Sequence, residues 1–318
     1  MTIDRDAEDE YFLTEVCWHY YVNEMTQSEI ANSLGVTRLR VNQAIQQAKS
    51  KRMVKIQIES RSVPRMELQE ALREKYQLKT ATVALANRQS YDFHLAVGAA
   101  LAGYLSESIT SNGWKKIGVS WGVTLQNAIN KMLRQSLPDR EIITLMGGTS
   151  KGANFNTFSI ASGFAERLGA NYSLLAAPIF LASNVDRAAF LAQEVFADHF
   201  KKFYELDAVI LTASNISSLS YLVNMGLPQD INQDALVGYG AIGDVVGRFM
   251  DAQGMTVSTE LDSCTIGIEL EVLEKVPDRI LAAAGEHKVG IIHAALSRGI
   301  ANILVTDDVT AEKLLEIE

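Results

Sequence analysis

TQSEIANSLGVTRLRVNQAI, residues 26–45, holds two short helical patterns separated by one glycine. Thr26 stands three residues before Glu29, the spacing of a capping box, so a helix starts here. Ile30, Ala31 and Leu34 share its inner face. Gly35 ends it, where the backbone turns left-handed at no steric cost. Thr37 caps a further helix reaching residue 52, with Val41, Ala44, Ile45 and Ala48 facing inward. The small Ala31 lets the two helices approach, and Ile30, Leu34, Val36, Val41 and Ala44 fill the wedge between them. This is helix-turn-helix grammar, with a purely structural helical hairpin as the plain alternative. An amphipathic helix over 10–21, carrying Phe12, Leu13, Val16 and Tyr20, precedes the pair.

The outward face of the helix after Thr37 shows Thr37, Arg38, Arg40, Asn42, Gln43, Gln46 and Gln47. Arginine bonds both major-groove acceptors of guanine, and asparagine or glutamine pairs with adenine. Double-stranded operator DNA is therefore the expected partner. Arg38, Asn42 and Gln43 are assigned to bases, and Thr37 and Arg40 to bases or phosphates. Thr26, Gln27 and Ser28 are assigned to phosphates at a helix start. Charge agrees: residues 26–55 carry a net +5 in a chain of net −9. A small basic island on an acidic body binds nucleic acid locally.

Val54, Ile56 and Ile58 alternate with polar residues over 53–60, which predicts a strand and suggests a wing. Pro64 then breaks the chain before a helix over 66–76. That helix is either a linker or the first packing helix of the large domain. The domain boundaries expected are 1–60 for the DNA-binding module, 61–77 for the linker helix and 78–318 for an effector domain.

From residue 78 onward strands and helices alternate. The strands expected are 80–85, 116–121, 141–148, 171–180, 207–214, 279–286 and 301–308, all continuous apolar runs. Such runs belong to parallel strands covered on both faces, a doubly wound α/β fold. The helices between them fall at 91–111, 124–135, 156–168, 185–201 and 287–298, with one more after 308. Two cysteines far apart, Cys17 and Cys264, give no disulfide framework and fit a reducing cytoplasm. The acidic start does not read as a signal peptide, and no apolar run is long enough to span a bilayer.

Ligands of such sheets bind at the carboxyl ends of the strands. Four segments fall there. They are 120–124, with Ser120, Trp121, Gly122 and Thr124 opening onto a helix N-terminus; 147–150, with Gly148; a glycine-rich loop over 238–254 holding Asp244, Arg248 and Asp251; and 283–288, with Gly285, Glu286 and Lys288. A cation in the first turn of a helix is unfavourable unless it faces an anion, which favours a ligand role for Lys288. The histidines have no metal-ligand spacing, so no metal and no cofactor are expected.

These segments resemble the SorC/DeoR-type bacterial transcriptional regulators. The matching stretches, in the family's order, are WHYYVNEMTQSEIANSLGVTRLRV, IGVSWGVTL, GAIGDVVGRFMDAQG, AAGEHKVGIIHAAL and ANILVTDDVTAEKLL. The resemblance implies an effector domain similar to sugar-phosphate isomerases and deaminases. It also implies a sugar, polyol or sugar-phosphate effector and a homotetramer. The residues it assigns to the effector are Ser120, Trp121, Gly122, Thr124, Asp244, Gly285, Glu286 and Lys288. The chain departs from the family in having Val123 where many relatives carry arginine, and Ala284-Gly285 for a glycine pair. The stretch 211–218 also lacks the family's glycines. Without that arginine the effector's phosphate is in question. A sugar-phosphate isomerase or deaminase with an appended DNA-binding module is the rival reading; Asp244 or Glu286 would serve as its base, with no second carboxylate or histidine to complete the chemistry. Changing Arg38 to Ala should weaken operator binding by about 1–3 kcal/mol, measured by titrating labelled operator with each protein; equal affinity removes Arg38 from the base contacts.

Overall fold

The chain divides into two compact units, residues 1–63 and 64–318. The computed structural model describes residues 5–54, 60, 63–149, 156–182, 184–217, 220–228 and 231–317. The smaller unit contains α1 (Arg5–Tyr21), α2 (Gln27–Leu34) and α3 (Arg38–Ser50). The box at the start of α2 is reciprocal. Thr26 Oγ1 accepts the Glu29 amide at 3.3 Å, and Glu29 Oε2 accepts the Thr26 amide at 2.8 Å. Gly35 lies at φ +65° and donates its amide to the Ala31 carbonyl. Thr37 Oγ1 caps α3 by accepting the Arg40 amide at 3.2 Å. Leu13, Val16, Ile30, Ala31, Val41, Ala44, Ile45 and Ala48 are buried together, with Leu34 and Val36 packed against them. The strand expected over 53–60 falls largely outside the described residues.

The larger unit opens with α4 (Val63–Tyr76), whose Pro64 occupies the first turn, where a missing amide hydrogen costs nothing. Leu72 of α4 is fully buried in this unit's core, so the helix packs with the α/β body. The strands are β1 (Thr80–Ala84), β2 (Lys116–Val119), β3 (Glu141–Thr144), β4 (Asn171–Ser173), β5 (Ala208–Leu211), β6 (Ala213–Asn215), β7 (Gly243–Val245), β8 (Arg248–Met250), β9 (Asp278–Ala282) and β10 (Ile303–Asp307). The helices after α4 are α5 (Phe93–Ser111), α6 (Val123–Lys131), α7 (Thr157–Leu168), α8 (Arg187–Leu191), α9 (Glu194–Lys202), α10 (Tyr221–Met225), α11 (Gln233–Gly238), α12 (Thr259–Cys264), α13 (Leu270–Leu273), α14 (Val289–Arg298) and α15 (Asp308–Glu316).

Seven strands form one parallel sheet in the order β1-β10-β9-β5-β2-β3-β4. Alternate residues of a strand enter different cores. Leu281 and Leu304 join one buried cluster, while Ile280, Ala282, Ile303 and Val305 join another. Both faces are therefore covered, which is why the strands read as unbroken apolar runs. From β2 the sheet grows through β3 to β4; from β5 it grows the opposite way, through β9 to β10. A crevice opens where the direction changes, between β2 and β5.

Four elements depart from the sequence reading. The segment 238–254 is not an open loop: β6, β7 and β8 form a small antiparallel sheet. The β7–β8 turn is two residues, Val246 at φ +50° and Gly247 at φ +79°, the backbone of a tight hairpin. A β-branched residue at positive φ is rare, and Val246 is held there by burial. The run 207–214 divides at Thr212 into β5 and β6, which belong to different sheets. Only 171–173 of the run 171–180 is strand; Leu175, Ala177 and Ile179 are buried without a ladder. The helix expected over 185–201 breaks at Gln193, which is extended, into α8 and α9. Because Leu72 is enclosed, its change to Ala should cost about 2–5 kcal/mol, read as a lower urea midpoint; an unchanged midpoint would show that α4 does not share the larger core.

Candidate functional site

The crevice contains a cavity of about 310 Å³ lined by side chains from several strand ends. Its frame is a pair of bonds from Thr212, just after β5. The Thr212 amide donates to Ser120 Oγ at 3.1 Å, and its hydroxyl donates to the Trp121 carbonyl at 2.7 Å. These bonds tie the β2 end to the β5 end. Gly122 comes next at φ +128°, with the Thr212 side chain beside the position a Cβ would take. It starts α6 without a side-chain cap, so the helix presents its first amides, the positive end of its dipole, to the cavity. Trp121 meets Tyr221 edge to face across the opening, their ring centres 5.3 Å apart.

Two charged groups share the cavity wall. Asp244, on β7 opposite Ser214, is 3% exposed. Its Oδ2 accepts the Gly247 amide at 3.1 Å, and its Oδ1 is buried with no hydrogen-bond partner. Burial pushes this carboxyl up to about 7, partly opposed by the Gly247 amide and the Lys288 charge. Lys288 lies beyond β9 and directly precedes α14. Its ammonium lies 5.4 Å from the centre of the Phe93 ring, and no ion pair holds it among the described residues. Burial brings it down to about 8, against the pull of Asp244. An orphaned carboxylate oxygen beside an unpaired ammonium is what a small polyhydroxylated ligand would satisfy.

His94 Nδ1 is 2.8 Å from Thr124 Oγ1, and burial, with Lys288 nearby, lowers this imidazole to about 4. It is therefore neutral at physiological pH. His287 is also lowered, by desolvation and then by Lys288.

The sequence-assigned residues Trp121, Gly122, Thr124, Asp244 and Lys288 all line this cavity. The other four do not. Ser120 is buried beneath it and bonds Thr212. Gly148 gives its amide to the Ala177 carbonyl and packs on Phe158. Gly285 lies at φ +114° and donates its amide to Thr310 Oγ1 at 2.9 Å. Glu286 is exposed and pairs with Lys313 at 2.9 Å. Arg248 is fully buried away from the cavity, where Glu269 at 2.6 Å and Asp262 at 2.5 Å neutralise it. Sequence reasoning missed Phe93, His94, Ser214, Asn215, Ser220 and Tyr221, which also line the wall. Among the described residues no group of three or more His, Cys, Asp and Glu could hold a metal ion, and no helix is long and apolar enough to cross a membrane.

In the smaller unit Arg38, Arg40 and Gln43 are exposed on α3, and Asn42 is half-buried. The Arg40 guanidinium sits 4.9 Å from the Phe12 ring centre. Leu39, between the two arginines, is 65% exposed, a large apolar side chain in an otherwise polar patch.

A cavity at the switch point of a parallel sheet, mostly apolar with a few charged and polar groups, is where such folds bind small molecules. This chain belongs to the family described as "Putative sugar-binding domain", whose model matches residues 61–316. It is 27% identical to the erythritol catabolism regulatory protein EryD of Brucella abortus (strain 2308), over 98% of each chain. It is 29% identical to the deoxyribonucleoside regulator of Bacillus subtilis (strain 168), over 98% of this chain and 99% of the relative. Among solved structures it is similar to the full-length sorbitol operon regulator SorC of Klebsiella pneumoniae. The TM-score is 0.71 at 25% identity, covering 97% of this chain and 99% of that one.

Asp244 sets a pH dependence. Its folded value is raised above the ordinary 3.8, so its contribution to stability is complete below that pH and is lost as pH rises through about 7. Asp244→Asn should therefore be more stable than the wild type at pH 8, by on the order of a few kcal/mol, with the gap closing towards pH 5. Melting curves at the two pH values check this; a gap that does not change with pH contradicts it.

Proposed function

We propose that the chain is a DNA-binding transcriptional regulator controlled by a sugar, polyol or sugar phosphate bound in the cavity of its larger unit. The observation that carries the ligand reading is the unpaired Asp244 carboxylate oxygen in a cavity wall shared with Lys288 and the uncapped start of α6. Asp244 accepts ligand hydroxyls. Lys288 and the α6 amides take the electron-rich or anionic end. Trp121, Tyr221 and Phe93 cover the apolar faces of a sugar ring. The three relatives are regulators of erythritol, deoxyribonucleoside and sorbitol functions, which supports this ligand class.

The DNA reading rests on α2, Gly35 and α3 as a helix-turn-helix, with α3 in the major groove. Arg38, Asn42 and Gln43 read bases there, with Thr37 and Arg40 on bases or phosphates, and the exposed Leu39 suits a thymine methyl group. Thr26, Gln27 and Ser28 lie over phosphate. Pairing of two copies in a homo-oligomer, a tetramer by family resemblance, sets two such helices about 34 Å apart or a multiple of it, which calls for a palindromic operator. Effector binding shifts the population between assemblies that bind DNA well and badly. The protein acts in the cytoplasm on this reading, and not as an enzyme, since the relatives are named as regulators; among the described residues the cavity holds one carboxylate, Asp244, together with His94 and His287.

A thermal-shift panel of sugars, polyols and their phosphates tests the ligand reading. A binder at about a hundred times its dissociation constant adds about 2.7 kcal/mol of stability, and Lys288→Ala should reduce that gain while the protein still binds operator. A panel without a binder rejects the sugar reading, and an undiminished gain in the variant removes Lys288 from the site.

A further inference from the structure

Resting on the proposed function, in which Lys288 holds the effector, we propose that Lys75 and Tyr76 pass the state of the Lys288 loop to α4, the helix that begins where the smaller unit ends. The loop 285–288 leaves β9 and is held by two helices. One is α15. Its first turn accepts the Gly285 amide on Thr310 Oγ1 at 2.9 Å, and its Lys313 pairs with Glu286 at 2.9 Å. The other is α14, which starts at Val289, immediately after Lys288.

Both helices then meet the last two residues of α4. Lys75 Nζ donates to the carbonyls of Leu314 at 3.0 Å, Leu315 at 3.4 Å and also Ile317. These are carbonyls that the end of α15 leaves unpaired, and a cation there faces the negative end of the helix dipole. The Tyr76 hydroxyl donates to the Leu314 carbonyl at 3.1 Å and lies 2.9 Å from His293 Nδ1, one turn into α14. Since the hydroxyl has one proton, the imidazole nitrogen supplies the other. One aromatic side chain thus bonds both helices that carry the effector loop.

Each link is short. The nine residues of α15 span about 14 Å, and a helix transmits a displacement of one end to the other with little loss. A ligand that draws Lys288 toward the cavity moves the start of α14 directly, and the start of α15 through Gly285 and Glu286. The two shifts arrive at Tyr76 and Lys75. Lys75 and Tyr76 are positioning residues here and touch no ligand. By linkage the coupling is reciprocal, so whatever alters the end of α4 alters the loop.

Amide hydrogen exchange in the full chain tests this in a cycle of wild type, Lys288→Met, Tyr76→Phe and the double variant. Removing the Lys288 charge should change exchange in residues 73–77 by about two- to thirtyfold. The same change made in the Tyr76→Phe background, where only Lys75 still joins α4 to α15, should affect those amides markedly less, with β3 as an unmoved control. An effect confined to 285–290, or one of equal size in both backgrounds, overturns the proposal. Should Lys288→Met fail to fold, Glu286→Gln on the exposed side of the loop loosens the same link and is read the same way. No sugar is present in the experiment. A negative result therefore leaves the effector reading standing, and a thermal-shift panel without a binder leaves this coupling standing.

Discussion

The larger unit depends on how two parallel strand ends are joined at the point where the sheet changes direction. Thr212 makes that join with one amide and one hydroxyl, to Ser120 and to Trp121. Without it, β2 and β5 would diverge beyond their last ladder bonds, and buried polar groups would be left unpaired at a cost of about 1–3 kcal/mol each. With it, Gly122 can turn in a conformation that other residues avoid, α6 starts uncapped, and Trp121 is aimed at Tyr221. The cavity is a consequence of a chain that must reverse its direction of growth and cannot fill the gap with backbone.

What fills the remaining wall is electrostatically unusual. A carboxylate that burial makes reluctant to ionise faces an ammonium that burial makes reluctant to stay charged. No ion pair within 4.0 Å joins them among the described residues, so each only partly relieves the other. Contrast Arg248, as buried as Asp244 but bonded to two carboxylates and to the carbonyl of Ile268 at 2.9 Å. The sequence offered Asp244 and Arg248 in one segment with similar prospects. Only the first retains unsatisfied chemistry, and that separates a ligand site from a structural clamp.

Much of this was legible in the chain before folding. The capping box, Gly35 and the inward-facing aliphatics of α2 and α3 are local patterns, set by residues three or four apart. The parallel sheet declared itself through apolar runs. Ser120, Gly148, Gly285 and Glu286 were drawn into the candidate site by their place near strand ends and, all but Gly148, by the family resemblance; in the fold they lie outside the cavity wall, in contacts that local spacing does not reveal. Phe93, His94, Ser214 and Tyr221 gave no signal of their own, because a residue at a helix start or in a short edge strand joins the cavity through long-range topology. The 238–254 segment misled for a related reason. Its glycines suggested an open loop, whereas Gly243 permits a close pass by Ser214 and Ile291 and Gly247 completes a two-residue turn.

The near-balance of charge in the cavity also distinguishes the two recognition events in their response to ionic strength. One ammonium facing one carboxylate in a partly enclosed space presents little net field, and counterions outside it have little to screen. A cationic helix surface on phosphate backbones behaves oppositely, because each neutralised phosphate releases a counterion and affinity falls steeply as salt rises. A cell whose internal salt fluctuates would thus change how firmly the proposed regulator grips DNA while barely altering how it measures its metabolite. The charge pair in the cavity thus separates the measurement of the small molecule from the salt that governs the hold on DNA.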